Sequence, residues 1–175
     1  MGHLKRDIYA AERAFKDLTF SDINVVRLLM EYRYKYDPYS GFQSDATFDV
    51  AGTISPVNAE VIATFASLDE LIKKCKFDET QLKIIKLTEE GYTLKEIATL
   101  IGLSHTDNIK KRMNKICKDI VKMNLWDWRR VTYKNVLGLK NKTCSKCKEE
   151  LPAVDEFFIY DSTNNVFKSA CKMCK

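Results

Sequence analysis

Between Phe77 and Asn124 the chain carries three helix-start signals and two helix-stop signals in succession, and this punctuation leaves little choice of local fold. Asp78 with Gln81, and Thr93 with Glu96, each have the spacing of a capping box. In that device the first side chain accepts from the backbone N–H three residues on, and the second reaches back to the first residue's own N–H. Gly91 and Gly102 stand where helices end in a left-handed residue, and Ser104 or Thr106 opens a third segment. Ile97, Ala98 and Ile101 form the inner stripe of the middle segment, and Ile109, Met113, Ile116 and Ile120 recur at helical spacing along the last. The spacing predicts a short helix, a glycine-containing turn and a longer helix, the plan of a helix-turn-helix.

At about 100° per residue, the side of the last helix opposite its apolar stripe carries Asp107, Lys111, Asn114, Lys118 and Lys122, flanked by Lys110 and Lys115. After its first turn this side is almost all cationic or amide, which suits phosphates and base edges. The bland alternative is a solvated lysine-rich surface. Charge distribution favours a polyanionic partner. From Ile109 to Lys175 there are 16 Lys plus Arg against 7 Asp plus Glu, a net of +9, while the first 108 residues hold 13 against 17, a net of −4.

The run LTEEGYTLKEIATLIGLS, residues 87–104, with its E-G-Y-T-x-x-E-I-A and G-L-S elements, resembles region 4 of bacterial sigma factors and the related small phage regulators of the ArpU-like kind. The resemblance extends over Leu68 to Val121, with one departure: the first aliphatic residue after Ser104 is Ile109, one position later than the family places it. It implies a sequence-specific DNA-binding transcription regulator of phage or mobile-element origin, reading the major groove of double-stranded DNA with helix 105–123. Thr106, Asp107, Lys110, Lys111 and Asn114 are then the candidates for base edges or nearby phosphates, and Lys115, Lys118, Arg129 and Arg130 for the backbone. Two alternatives stay open. One is a small terminase-like DNA-packaging subunit whose first helices assemble a homo-oligomeric ring. The other is a protein-interaction module acting on the host transcription machinery. Too few residues precede Phe77 for a complete sigma factor.

The rest of the chain is read in five parts. Residues 1–40 are expected to form a helical hairpin: Leu4, Ile8, Ala11, Phe15 and Leu18 share one stripe, and a second helix runs from after Ser21 toward Tyr36, stopping before Pro38. Tyr32, Tyr34, Tyr36 and Tyr39, interleaved with Arg33 and Lys35, suit either base stacking or helix packing with wet hydroxyls, and packing is favoured. Residues 41–55 lack periodicity and read as a linker. Ser55-Pro56 restarts a helix with Val57, Val61, Phe65, Leu68 and Ile72 as its stripe, and 56–124 is expected to form the sigma region 4-like helix-turn-helix domain. Residues 125–141 form a basic aromatic connector. Its Trp126, Trp128 and Tyr133 either join Arg129, Arg130 and Lys134 in gripping a DNA backbone or bury to orient the next module.

Residues 142–175 contain Cys144-x-x-Cys147 and Cys171-x-x-Cys174, the ligand pattern of a structural zinc site with four thiolate ligands. Two intervening residues let a tight knuckle turn both sulfurs toward one ion. Glu156–Tyr160 and Asn165–Lys168 read as strands around an Asp-Ser-Thr-Asn-Asn turn. This segment looks like the zinc ribbons of many phage and mobile-element proteins, with Leu151-Pro152, Phe157-Phe158 and the Cys171-Lys172-Met173-Cys174 knuckle in place. Such a ribbon extends the DNA footprint or binds a protein such as RNA polymerase. Cys75 and Cys117 sit among apolar neighbours and read as core residues; His105 enters the third helix and His3 lies in the N-terminus.

The expected fold class is mainly α: a helical helix-turn-helix domain with a small C-terminal zinc-ribbon β-hairpin. Apolar content of 45% and charged content of 30% are those of a globular protein. No apolar run approaches the ~20 residues of a membrane span and no signal-peptide core is visible. The expectation is therefore a cytoplasmic or nucleoid location, without membrane, where reduced cysteines favour metal over disulfides. No Gly-rich phosphate loop, open metal triad or paired acid and base suggests an enzyme.

Overall fold

Three of the described helices, those starting at Ile23, Glu79 and Leu94, begin where a polar side chain accepts from an N–H group that the first turn leaves unpaired. A computed structural model describes residues 20–37, 41–42, 56–135 and 138–175, the side chains of 37, 41–42 and 56–59 excepted. The helix expected over 4–18, most of the linker, Tyr39 and His3 lie outside the described residues. The chain forms two compact units, Met1–Asn124 and Leu125–Lys175.

In the first unit, α1 (Ile23–Tyr32) is capped by Asp22, which accepts from the Asn24 N–H at 2.6 Å. It ends four residues short of Tyr36. A 3-10 turn, Arg33–Lys35, follows, then β1 (Tyr36–Asp37), which pairs antiparallel with β2 (Gly41–Phe42). The early end coincides with the capture of Arg33, whose guanidinium reaches both carboxylate oxygens of Asp69 at 2.5 and 2.7 Å and Glu89 at 3.0 Å. Helix α2 (Pro56–Lys74) starts at the expected proline. Helices α3 (Glu79–Glu89) and α4 (Leu94–Ile101) both open on capping boxes, Asp78 with Gln81 and Thr93 with Glu96. Both close with the doubled bond of a Schellman turn: Tyr92 N–H to Leu87 O at 3.0 Å after α3, and Leu103 N–H to Ala98 O at 2.8 Å after α4.

Helix α5 (Thr106–Asn135) begins after His105 and runs twelve residues beyond the expected end at 123. Leu125–Asn135, most of the basic aromatic connector, is therefore helical and forms the last third or so of α5. No glycine or proline interrupts the sequence before Gly138, so nothing stops the helix earlier.

One apolar core joins these helices: Val26, Leu29 and Met30 of α1, Val61, Phe65, Leu68 and Leu71 of α2, Ile84 and Ile85 of α3, Ile97 and Ala98 of α4, and Ile109, Met113, Ile116, Cys117 and Ile120 of α5. The sequence suggests a hairpin over 1–40 that stands apart from this domain. Its described helix instead lies in the shared core, because the apolar face of α1 is fully covered. Thr88, buried there, donates its hydroxyl proton to the Ile84 carbonyl at 2.8 Å, so burial leaves its hydroxyl partnered.

The second unit holds the last turns of α5 and two hairpins. The first pairs β3 (Asn141–Thr143) with β4 (Glu150–Pro152), Lys142 facing Leu151. The second pairs β5 (Phe158–Asp161) with β6 (Val166–Cys171), with a register shift between Phe158 and Tyr160. Asp161 closes the second turn by accepting from the Thr163 N–H at 3.1 Å and the Asn164 side-chain amide at 3.0 Å. Its core is Leu151, Phe157 and Phe158 with Cys144 and Cys171. So small a core is below what a unit of about fifty residues needs to fold unaided.

Candidate functional site

The two hairpins bring the four C-terminal cysteines together. The first knuckle is formed by Lys148 N–H to Cys144 O at 3.0 Å and Cys144 N–H to Glu149 O at 2.9 Å, with Lys148 in the left-handed region at φ 63°. The second is the 3-10 turn Lys172–Cys174 at the end of β6. Lys142 and Lys146 brace the hairpins by donating to the carbonyls of Phe167 at 2.9 Å and Cys174 at 2.8 Å. All four Sγ atoms lie within 4.8 Å of one another, and Cys147 Sγ is 3.9 Å from Cys171 Sγ. A metal–sulfur bond of about 2.3 Å in a tetrahedron sets sulfurs about 3.8 Å apart, so the spacing fits a single bound ion.

The thiols are not equivalent. The backbone N–H of Cys171, 3.3 Å from Cys144 Sγ, is the main cause that draws the Cys144 pKa down to about 6. Burial pushes Cys171 up to about 12. The Glu149 amide draws Cys147 down, but burial and the neighbouring Cys144 and Cys174 thiols outweigh it and leave that pKa raised. One sulfur ionises readily and its neighbours resist, a conflict that a cation among them resolves. Four cysteines can hold a metal ion here, and four protein ligands leave no open position for a reacting water.

Of the connector aromatics, Trp126 and Tyr133 take the packing role. Both present edges to Phe157, at centroid distances of 4.6 and 6.2 Å, and the Tyr133 hydroxyl donates to Glu156 at 3.1 Å. Trp128 does not pack: it is 60% exposed, as is half of Val131. Arg129 is exposed, whereas Arg130 is half-buried, 3.7 Å from Asp127.

In the first unit, α5 leaves Lys110, Lys111, Lys115, Lys118 and Asp107 exposed, with Thr106 half-buried at its first position. Lys110 lies 3.7 Å from Asp107. Asn114 accepts a hydrogen bond from the Arg27 guanidinium of α1, a pairing that no local sequence signal reveals. Two residues missing from the sequence-derived set, Asn108 and Arg112, line an open groove of about 490 Å³ together with Leu103, Lys111 and Lys115. Asn108 precedes Lys111 by three residues and Arg112 precedes Lys115 by three, and this spacing is the signal that could have found them. His105 is exposed beside this helix start.

The tyrosine run divides similarly. Tyr36 packs on Phe65 at 5.3 Å, while the exposed rings of Tyr32 and Tyr34 carry the Lys35 ammonium at 4.8 and 5.5 Å. Cys117 is buried, its pKa raised to about 11 by desolvation, and Cys75 donates to the Asp119 carbonyl at 3.6 Å. Neither belongs to the four-cysteine cluster. Among the described residues, no helix is long and apolar enough to cross a membrane.

Set against family models, curated proteins and solved structures, the chain matches none.

Proposed function

We propose that the chain is a sequence-specific DNA-binding transcription regulator of the phage or mobile-element kind, in which α4, the Gly102 turn and the first half of α5 act as a helix-turn-helix. The observation that carries this reading is the exposed cationic side of α5, where Lys111, Lys115 and Lys118 stand free of the core formed by Ile109, Met113 and Ile116. Rigid placement supports it: the α4 start and stop are both fixed by side-chain and backbone bonds, so the helix that follows is presented at a defined angle. Lysines so placed neutralise phosphates, and the helix itself fits the width of the major groove.

The four-cysteine cluster holds structural Zn2+, since four thiolates at tetrahedral spacing suit that ion and supply folding energy to a unit that lacks a large core. The exposed Trp128 and Val131 beside Arg129 favour a protein partner for the second unit, with RNA polymerase as the partner suggested by a transcriptional role.

Lys111→Ala and Lys115→Ala test the reading. Each is expected to weaken duplex binding and lower the dependence of log affinity on log salt by about one, measured by anisotropy titration at several salt concentrations. Unchanged affinity and slope in both variants refutes it.

A further inference from the structure

The polar side of α5 has two flanks, and they differ in what faces them. At 3.6 residues per turn, Asn108, Lys111, Arg112 and Lys115 fall within an arc of about 100°, and Thr106, Lys110 and Asn114 within a separate arc of about 80°. The first arc lines the open groove whose apolar edge is Leu103, in the turn after α4. On the second, Asn114 is tied to α1, where Arg27 donates to it. Lys110 on that flank is additionally near the Asp107 carboxylate, at 3.7 Å. Lys111, Arg112 and Lys115 make no ion pair with another described residue.

We infer that the groove lined by Asn108, Lys111, Arg112 and Lys115, and not the flank carrying Thr106, Lys110 and Asn114, is where the nucleic-acid backbone is gripped, with Arg112 and Asn108 as phosphate contacts. The inference rests on the DNA-binding reading above. Three cations converging on an open groove, with an amide donor among them, provide a site for an anionic oxygen, and a guanidinium offers it two parallel N–H donors. On the other flank, the Asn114 carbonyl oxygen is engaged by Arg27, which removes one lone pair from the bidentate amide pattern that reads adenine. That side chain serves the contact between α5 and α1.

Arg112→Ala and Lys110→Ala separate the two flanks, since each removes one exposed cation from the same helix. With the zinc-loaded full chain and a duplex pool of random sequence, Arg112→Ala is expected to weaken binding roughly fivefold to tenfold near 0.1 M salt and lower the salt slope by about one. Asn108→Ala is expected to weaken binding by a smaller factor without changing the slope, and Lys110→Ala to stay within about twofold of the parent chain. If the parent binds and Lys110→Ala is as damaging as Arg112→Ala, this inference alone falls. If the parent binds no duplex at low salt, the DNA-binding reading falls with it.

Discussion

The two units of this chain reach order by different means. Among the described residues of the first, sixteen buried ones drawn from five helices form one core, and the buried Thr88 beside it is satisfied locally by the Ile84 carbonyl. Among those of the second, three buried apolar side chains cluster with two buried cysteines, and the hairpins meet at sulfur. Periodic burial organises the first unit, and a cluster of four cysteines able to hold a metal ion stands at the centre of the second. The comparison teaches that one chain can combine a part built on a broad apolar core with a part whose small core is gathered around a single cluster.

Chelation is the most direct way to break that comparison. On the zinc reading proposed above, metal binding to such a site is worth about 10 kcal/mol or more, so a chelator, or Cys171→Ser, is expected to abolish amide protection at Leu151 and Phe158 while leaving it intact at Ile84 and Ile116. Hydrogen exchange checks this; ribbon amides that stay protected in metal-free protein would show that the second core suffices.

Within the helical unit, its two helix-ending glycines provide a finer test. Gly91 and Gly102 have φ of 87° and 79°, but a Cβ at Gly91 would meet the Tyr34 ring at 2.8 Å and one at Gly102 would meet nothing within 4 Å. Gly102→Ala should cost about 1 kcal/mol from backbone strain alone. Gly91→Ala should cost about 2–3 kcal/mol, because the ring must also shift. Denaturant titration measures both; equal costs would mean that the Tyr34 contact carries no weight.

The smallest effect concerns acid. The Thr93 hydroxyl and amide hold Glu96 below the usual carboxylate range. A carboxyl depressed in the folded state contributes stability that is full above its unfolded pKa and is lost as pH falls through the folded one. Melting temperatures of the parent chain and Glu96→Gln should therefore converge in that acid window, the glutamine variant showing the flatter profile. The cap is exposed, so solvent screens its contribution to stability, and parallel profiles would remove Glu96 from the pH response.

What was legible in the sequence was what is encoded locally. The pairs Asp78–Gln81 and Thr93–Glu96, the two glycines and the Cys-x-x-Cys knuckles all act within a few residues, and each appears where its spacing places it. The longer course of α5 was written as the lack of a breaker before Gly138, a weaker signal than the aromatic and basic residues that drew attention to Leu125–Lys134. The hairpin of β3 with β4 has no local signature, because Asn141–Thr143 is short and polar and only pairing with Glu150–Pro152 makes it a strand. Arg33 with Asp69 and Glu89, and Arg27 with Asn114, join residues tens of positions apart. No period or motif foretells such partners, and of them only the Arg27–Asn114 pair engages α5.

The uneven burial of the four sulfurs has a consequence for how the centre ages. Cys144 and Cys171 are sealed, Cys174 is half-covered and Cys147 stands at the surface. An oxidant or competing thiol therefore meets Cys147 first and Cys174 next, so exchange or loss of an ion held by the four sulfurs would begin on that side.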